Sequence, residues 1–163
     1  MTAPEILPRL TDPYVLLASW FGIGFLPFAQ AWVAVATVWP LVGLGLGRSR
    51  LYLLIAALGF TLVGLYVAES WEVELAIKDD GRIVIDEIAG YLAGLVIVGP
   101  VGWAGAGLFA LLMLTLDGFK PWPISLTESW PGGFGIVGDD LAAGIVAGII
   151  VWVAMRIRRR LAA

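Results

Sequence analysis

From Ile88 to Leu116 the chain reads IAGYLAGLVIVGPVGWAGAGLFALLMLTL, 29 residues without a charged side chain. A membrane-spanning helix needs about 20 apolar residues, so the run is too long for one helix. Gly99-Pro100, with Gly102 just after, divides it. Proline inside a helix loses a backbone hydrogen bond and clashes with the preceding turn. The stretch therefore reads as two helices folded back as a hairpin. Irregular backbone at membrane depth persists only where protein or a wet cavity meets it, which points to a compact bundle.

The flanking sequence extends the pattern. Leu51–Ala68 is uncharged over 18 residues and reads as one span. Leu141–Met155 gives 15 and reads as a span that borrows Ile136 and Val137. Pro13–Gly47 gives 35, broken in its first half by Gly22, Gly24 and Pro27. Tyr14–Phe21 reads as a short interfacial or re-entrant piece, and Phe28–Leu46 as a span. Met1–Arg9 has two prolines and one basic residue, not the pattern of a cleaved signal peptide. The expected fold is all-α: one domain over residues 1–163, a compact multi-helical integral membrane bundle with about four spans plus the short interfacial or re-entrant helix.

Composition agrees. The chain has 163 residues, 60% apolar and 14% charged, whereas soluble domains run near half apolar and about a quarter charged. Cysteine and histidine are both absent. Disulfide scaffolds, thiol nucleophiles, the common zinc sites and every triad with an imidazole base are thereby excluded. A net charge of −3 offers no footprint for nucleic acid. Any chemistry must come from carboxylates, lysines and arginines.

The acids gather in two segments. One holds Glu69, Glu72, Glu74, Asp79, Asp80, Asp86 and Glu87; the other holds Asp117, Glu128, Asp139 and Asp140 with Lys120. With one span before the first segment and a hairpin between the two, both emerge on the same membrane face. Arg48, Arg50, Arg156, Arg158, Arg159 and Arg160 fall on the opposite face. Glu69, Glu72, Glu74 and Glu128 read as solvated surface. Asp86-Glu87 and Asp139-Asp140 each precede or open an apolar helix, where a carboxylate is costly unless partnered. Helix capping needs only one of each pair.

Spacing sharpens the point. Asp86, Gly90 and Gly94 stand at i, i+4 and i+8, and so do Asp140, Gly144 and Gly148. Such stripes let membrane helices approach closely. Parallel pairing would bring Asp86 and Asp140 together, and facing carboxylates repel unless a cation lies between them. Oxygen-only donors favour Mg²⁺, Mn²⁺ or Ca²⁺ over zinc. Packing alone would also account for the stripes. Lys120, in the rigid Asp117–Pro123 loop, suits either a headgroup anchor or a phosphate contact. Gly133–Gly138 satisfies G-x-G-x-x-G, but no strand precedes it and the dinucleotide reading fails. A flexible turn, or N–H groups facing an anion, remain for it.

Three ordered blocks resemble the phosphatidylglycerophosphatase A family. Ile83–Gly90 (IVIDEIAG) is similar to its IV-x-DE-x-x-G block, Asp117–Pro123 (DGFKPWP) to D-x-x-KPWP, and Gly132–Gly144 (GGFGIVGDDLAAG) to GG-x-GI-x-x-DD-x-x-AG. Asp12-Pro13-Tyr14 and Phe21–Gly24 also fit, so the resemblance covers about Asp12 to Val153. It departs at Ala29–Val35, which lacks the PGT-x-G turn, and at Leu114, where the family has an arginine. The resemblance implies a multi-pass, Mg²⁺-dependent lipid phosphatase of the bacterial cytoplasmic membrane, with Mn²⁺ as alternative metal. Six arginines on the far face, against Arg9, Lys78, Arg82 and Lys120 on the face of the acids, point to an outward-facing site. The implied substrate, made on the inner leaflet, points to a cytoplasm-facing one, and that is the expectation kept. The implied substrate is phosphatidylglycerophosphate in the bilayer, hydrolysed to phosphatidylglycerol. Asp86, Glu87, Asp139 and Asp140 would hold metal. Asp86, Glu87, Lys120 and Asp140 would be catalytic, with Lys120, Asp117 and Gly133 at the substrate. The competing expectation is a non-catalytic divalent-cation-binding membrane protein or transporter subunit using the same acids. A lipid phosphotransferase of the CDP-alcohol type lacks its multi-aspartate signature here.

Overall fold

The computed structural model describes residues 8–77 and 80–162. Among them the secondary structure is helical throughout, with no strand. The α-helices are α1 (Pro13–Ala18), α2 (Gln30–Leu44), α3 (Arg50–Leu75), α4 (Ile85–Val98), α5 (Trp103–Phe119) and α6 (Gly132–Leu161). The expectations for residues 1–7, for Lys78 and Asp79, and for the side chain of Glu128 lie outside the described residues.

Helices α3 and α6, of 26 and 30 residues, are long and apolar enough to cross a membrane. Only 28% of the most apolar window of α3, and 44% of that of α6, is buried inside the protein. Leu51, Leu54, Ile55, Leu58 and Leu62 of α3 all face outward. A helix that is hydrophobic all round while its outer face stays uncovered by protein is suited to lipid, not water. Helices α2, α4 and α5 have 15, 14 and 17 residues. Pro40 lies inside α2.

The hairpin forms where glycine and proline placed it. Helix α4 stops at Gly99, whose φ of +87° is left-handed and favours glycine, and α5 opens at Trp103. The Tyr91 hydroxyl donates to the Ala106 carbonyl at 3.3 Å, and Phe109 packs over Gly94, tying the two helices together. The short N-terminal helix is a brace. Val84 N–H donates to Ala18 O at 2.9 Å, and Gly24 lies so close to the Arg82 carbonyl that a Cβ would collide with it. The segment opening α4 is thus held from outside the hairpin.

Helix α4 packs most extensively on α6, and glycine makes the contact. A Cβ on Gly90 would strike the Asp140 carbonyl, one on Gly144 the Gly90 carbonyl, one on Gly94 the Gly144 carbonyl, and one on Gly148 the Gly94 carbonyl. Contacts advance together along both chains, so the helices run parallel, as the stripes require. Around them Val38, Leu53, Leu92, Leu95, Phe109 and Met113 form the main core.

Helix α6 differs from expectation at its start. Gly133–Gly138 is neither a flexible turn nor an anion loop but the first two turns of the helix. Each glycine there admits a neighbour: Gly133 the Leu65 carbonyl of α3, Gly135 the Trp130 carbonyl and Gly138 the Trp130 ring. Glycine costs about 1 kcal/mol per residue in a helix, and close packing on two sides offsets it. The charge separation follows the expected pattern. Arg50, Arg156 and Arg159 line one cavity at one end, while Glu69 meets Gly133 at the other.

Candidate active site

Asp86 and Glu87 occupy the first turn of α4. Asp139 and Asp140 do not open their helix as expected; they sit two turns inside α6. The cause is the helical glycine run before them. Capping explains neither pair, because neither helix start has a side-chain cap hydrogen bond. Asp86, Asp139 and Asp140 are about 5% exposed or less, so the site is enclosed by its own helices.

The α4–α6 register brings the acids together. Asp140 lies within electrostatic reach of Asp86, Asp117, Asp139 and Lys120, and Glu87 within reach of Asp86 and Asp140. Lys120 Nζ pairs with Asp139 Oδ2 at 2.5 Å. The lysine ends α5 in a left-handed conformation, φ +42°, its N–H donating to Leu116 O and Asp117 O. That turn aims the side chain back across α6, and the Trp122–Pro123 peptide beyond it is cis. Asp139 Oδ1 accepts from Asp140 N–H at 3.0 Å, and Asp86 Oδ1 from Glu87 N–H at 3.1 Å.

Within this cluster Glu87 Oε2 and Asp140 Oδ1 are buried and have no hydrogen-bond partner among the described residues. A buried charge without a partner is expensive, and their position beside further carboxylates invites a cation. As a donor set, all-oxygen and anionic, the cluster fits a hard divalent ion. Among the described residues no group of three or more acids already stands in the arrangement of a metal cage.

Gly133 is the site residue the fold places elsewhere. Its N–H donates to Glu69 Oε2 at 2.8 Å and its α-carbon lies against α3. A donor already given to a carboxylate is not offered to a phosphate; Gly133 packs against α3 and lines a groove beside it. Glu69 is exposed, as expected, and its carboxylate also satisfies an orphan N–H at the start of α6 from across the bundle. Glu72, also expected at the surface, has Oε2 buried without a partner, whereas Glu74 is exposed. Between α3 and the start of α6 opens an apolar groove of about 700 Å³, lined by Leu62, Leu65, Tyr66, Val73 and Phe134. Leu114 is buried in the core and carries no polar group.

A second acid–base pair escaped the sequence reading. Asp80 binds Arg82 through Nε and Nη2, the closest contact 2.5 Å, and also accepts from the Trp71 indole at 3.1 Å. The guanidinium stacks near Phe25 and Trp71, 5.7 and 5.6 Å from the ring centres. Burial pushes the Asp80 carboxyl up, but Arg82 and Trp71 outweigh it and hold the group below its ordinary range. The local signal was the Asp80-Gly81-Arg82 turn, which leaves acid and base two residues apart.

These features define a helical protein with membrane-length helices and a carboxylate–lysine site at one end of the bundle. The chain belongs to the phosphatidylglycerophosphatase A family, whose sequence pattern matches residues 16–155, and with it to the phosphatases. It is 33% identical over 146 residues to the phosphatidylglycerophosphatase A of Haemophilus influenzae, covering 88% of this chain and 89% of the relative. The Escherichia coli phosphatidylglycerophosphatase A is 30% identical over 148 residues, covering 89% and 86%. A Bacteroides thetaiotaomicron protein, named as a candidate phosphatidylinositol-3-phosphatase, is 30% identical over 167 residues, covering 94% and 97%. No solved structure matches this chain.

Proposed function

We propose that this protein hydrolyses the terminal phosphate of phosphatidylglycerophosphate to give phosphatidylglycerol, at the cytoplasmic face of a bacterial inner membrane. The observation that carries the reading is the pairing of Lys120 with Asp139 beside the unpartnered oxygens of Glu87 and Asp140. In this reading α2 and the α4–α5 hairpin complete a multi-pass bundle of about four spans around α3 and α6, with α1 at the interface.

Some of Asp86, Glu87, Asp139 and Asp140 would hold Mg²⁺, or Mn²⁺ in its place, with Glu87 as the carboxylate left off the ion. When bound, such an ion supplies positive charge to the phosphate oxygens and lowers the pKa of water. Lys120 reaches the site from the α5 C-terminus and binds the equatorial phosphate oxygens, its charge shared with Asp139. Asp117, three residues before it, flanks the substrate. Glu87 accepts a proton from the attacking water. The water oxygen bonds to phosphorus, the bond to the glycerol oxygen breaks, and that oxygen takes up a proton as the alcohol leaves. The groove along α3 offers an apolar path for the lipid, about 10 Å along α6 from Asp140.

The test is phosphate release by the purified full chain from phosphatidylglycerophosphate and from phosphatidylinositol 3-phosphate, with and without chelator. Chelator-sensitive release from the glycerol lipid is expected. Preference for the inositol lipid would move the substrate to that of the Bacteroides relative. Release that persists under chelation would remove the metal from the reading.

A further inference from the structure

We propose that Arg50, Arg156 and Arg159 form a binding site for the phosphodiester headgroup of an anionic membrane phospholipid, at the end of the bundle opposite the carboxylates. The proposal rests on the membrane reading of α3 and α6 and not on the reaction assigned above. The three side chains line a cavity of about 440 Å³ between the start of α3, the α4–α5 turn and the last turns of α6. Sixteen residues of α6 separate Arg156 from Asp140, about 24 Å along the helix. The two sites therefore lie at opposite ends of the protein.

Charge is the first argument. The ion pairs Asp80–Arg82 and Lys120–Asp139 do not involve these three arginines. Like charges converging on one cavity repel unless an anion joins them. Helix C-termini attract cations, and Arg158, Arg159 and Arg160 all lie in the last turn of α6, more charge than that pole requires. Arg50 begins α3, but its guanidinium reaches Gly99 at the C-terminal end of α4, so all three charges converge on the cavity from helix ends. The start of α3 has no side-chain cap, so its free N–H groups add to the demand for an anion.

Shape is the second argument. Val98, Pro100 and Trp152 give the cavity an apolar wall, and the Arg156 guanidinium lies 4.8 Å from the Trp152 ring centre. Gly99, left-handed and without a side chain, leaves room for the Arg50 guanidinium; a Cβ there would collide with it. Exposed Leu51, Trp152 and Val153 continue from the cavity along the outer faces of α3 and α6. An apolar surface running into a basic pocket suits a headgroup whose chains stay in lipid. Free phosphate would use only the charged half.

The full chain in detergent would be titrated with phosphatidylserine, which is not the product of the proposed reaction, and bound lipid counted by native mass spectrometry. Phosphatidylcholine and millimolar inorganic phosphate are the comparison arms. One phosphatidylserine is expected to bind in preference to phosphatidylcholine. At about 1 kcal/mol per arginine, affinity falls about fivefold in Arg159→Gln and roughly a hundredfold in the triple Arg50→Gln/Arg156→Gln/Arg159→Gln variant. Asp140→Asn, at the other end, leaves it unchanged. If the triple variant does not fold, Arg159→Gln against Arg159→Lys decides, the lysine retaining most of the affinity. Equal binding by the arginine variants, loss in Asp140→Asn, equal phosphatidylcholine binding, or displacement by inorganic phosphate would overturn the proposal.

Discussion

Two aspartate–cation pairs lie near the same end of this protein, and they are built differently. Asp80 is satisfied on every side, by a forked guanidinium, a backbone N–H and the Trp71 indole, while Arg82 is flanked by aromatic rings. Asp139 meets an ammonium on a flexible stem, with further carboxylates nearby and oxygens of Glu87 and Asp140 left over. The first pair is closed and has no capacity for a ligand. The second is open. An arginine fork suits a permanent clasp, while a lysine point charge can transfer its attention to another anion.

The largest expected break in that contrast is on the open side. Asp140→Asn or Asp86→Asn should cut phosphate release by roughly 10³-fold, with thermal unfolding in detergent unchanged or slightly raised, because a buried charge is removed. Activity retained in both would remove these groups from the chemistry. Next, Gly144→Val should cost about 3 kcal/mol of stability and most activity, since a side chain there meets Gly90 main chain. Thermal unfolding and phosphate release measured on one preparation check it.

Lys120→Met should lower turnover about 10²-fold, with Lys120→Arg retaining part of it; steady-state kinetics would read the difference. The smallest effect belongs to the closed pair. Asp80→Asn should cost about 1 kcal/mol and leave turnover within about twofold. Its pH signature has a definite sign. The folded Asp80 carboxyl is held below its ordinary range, so the unfolded chain binds the proton more readily. Its stabilisation is complete above the unfolded value near 4 and is lost as pH falls through the lowered folded value. An acid titration of stability should therefore be shallower in Asp80→Asn than in the parent chain.

The α4–α6 pairing was legible because small residues at i+4 spacing have few uses in an apolar helix, and Gly99-Pro100 marked the hairpin unambiguously. Asp86 and Asp140 could be matched by counting turns. The start of α6 was not legible: Gly132, Gly133, Gly135 and Gly138 all argue against helix locally, and only contacts from α3 and the Trp130 segment reverse that. Glu69 shows the same limit. It is exposed, as the sequence suggests, but nothing local reveals the helix start 64 residues away whose N–H its carboxylate accepts. Arg82 lacked any pattern pointing to Phe25 or Trp71, which come from separate elements. Periodicity reports the face a residue shares with its own helix, not the partner that meets it.

Main chain against main chain, as at Gly90 and Gly144, is the stiffest joint two helices can make. Side chains elsewhere in the bundle can change rotamer and absorb a shift, but this seam has none to yield. The distance across which the acids of α4 face those of α6 is accordingly gauged by the backbone itself, and it holds while the lipid around the protein thickens, thins or changes composition.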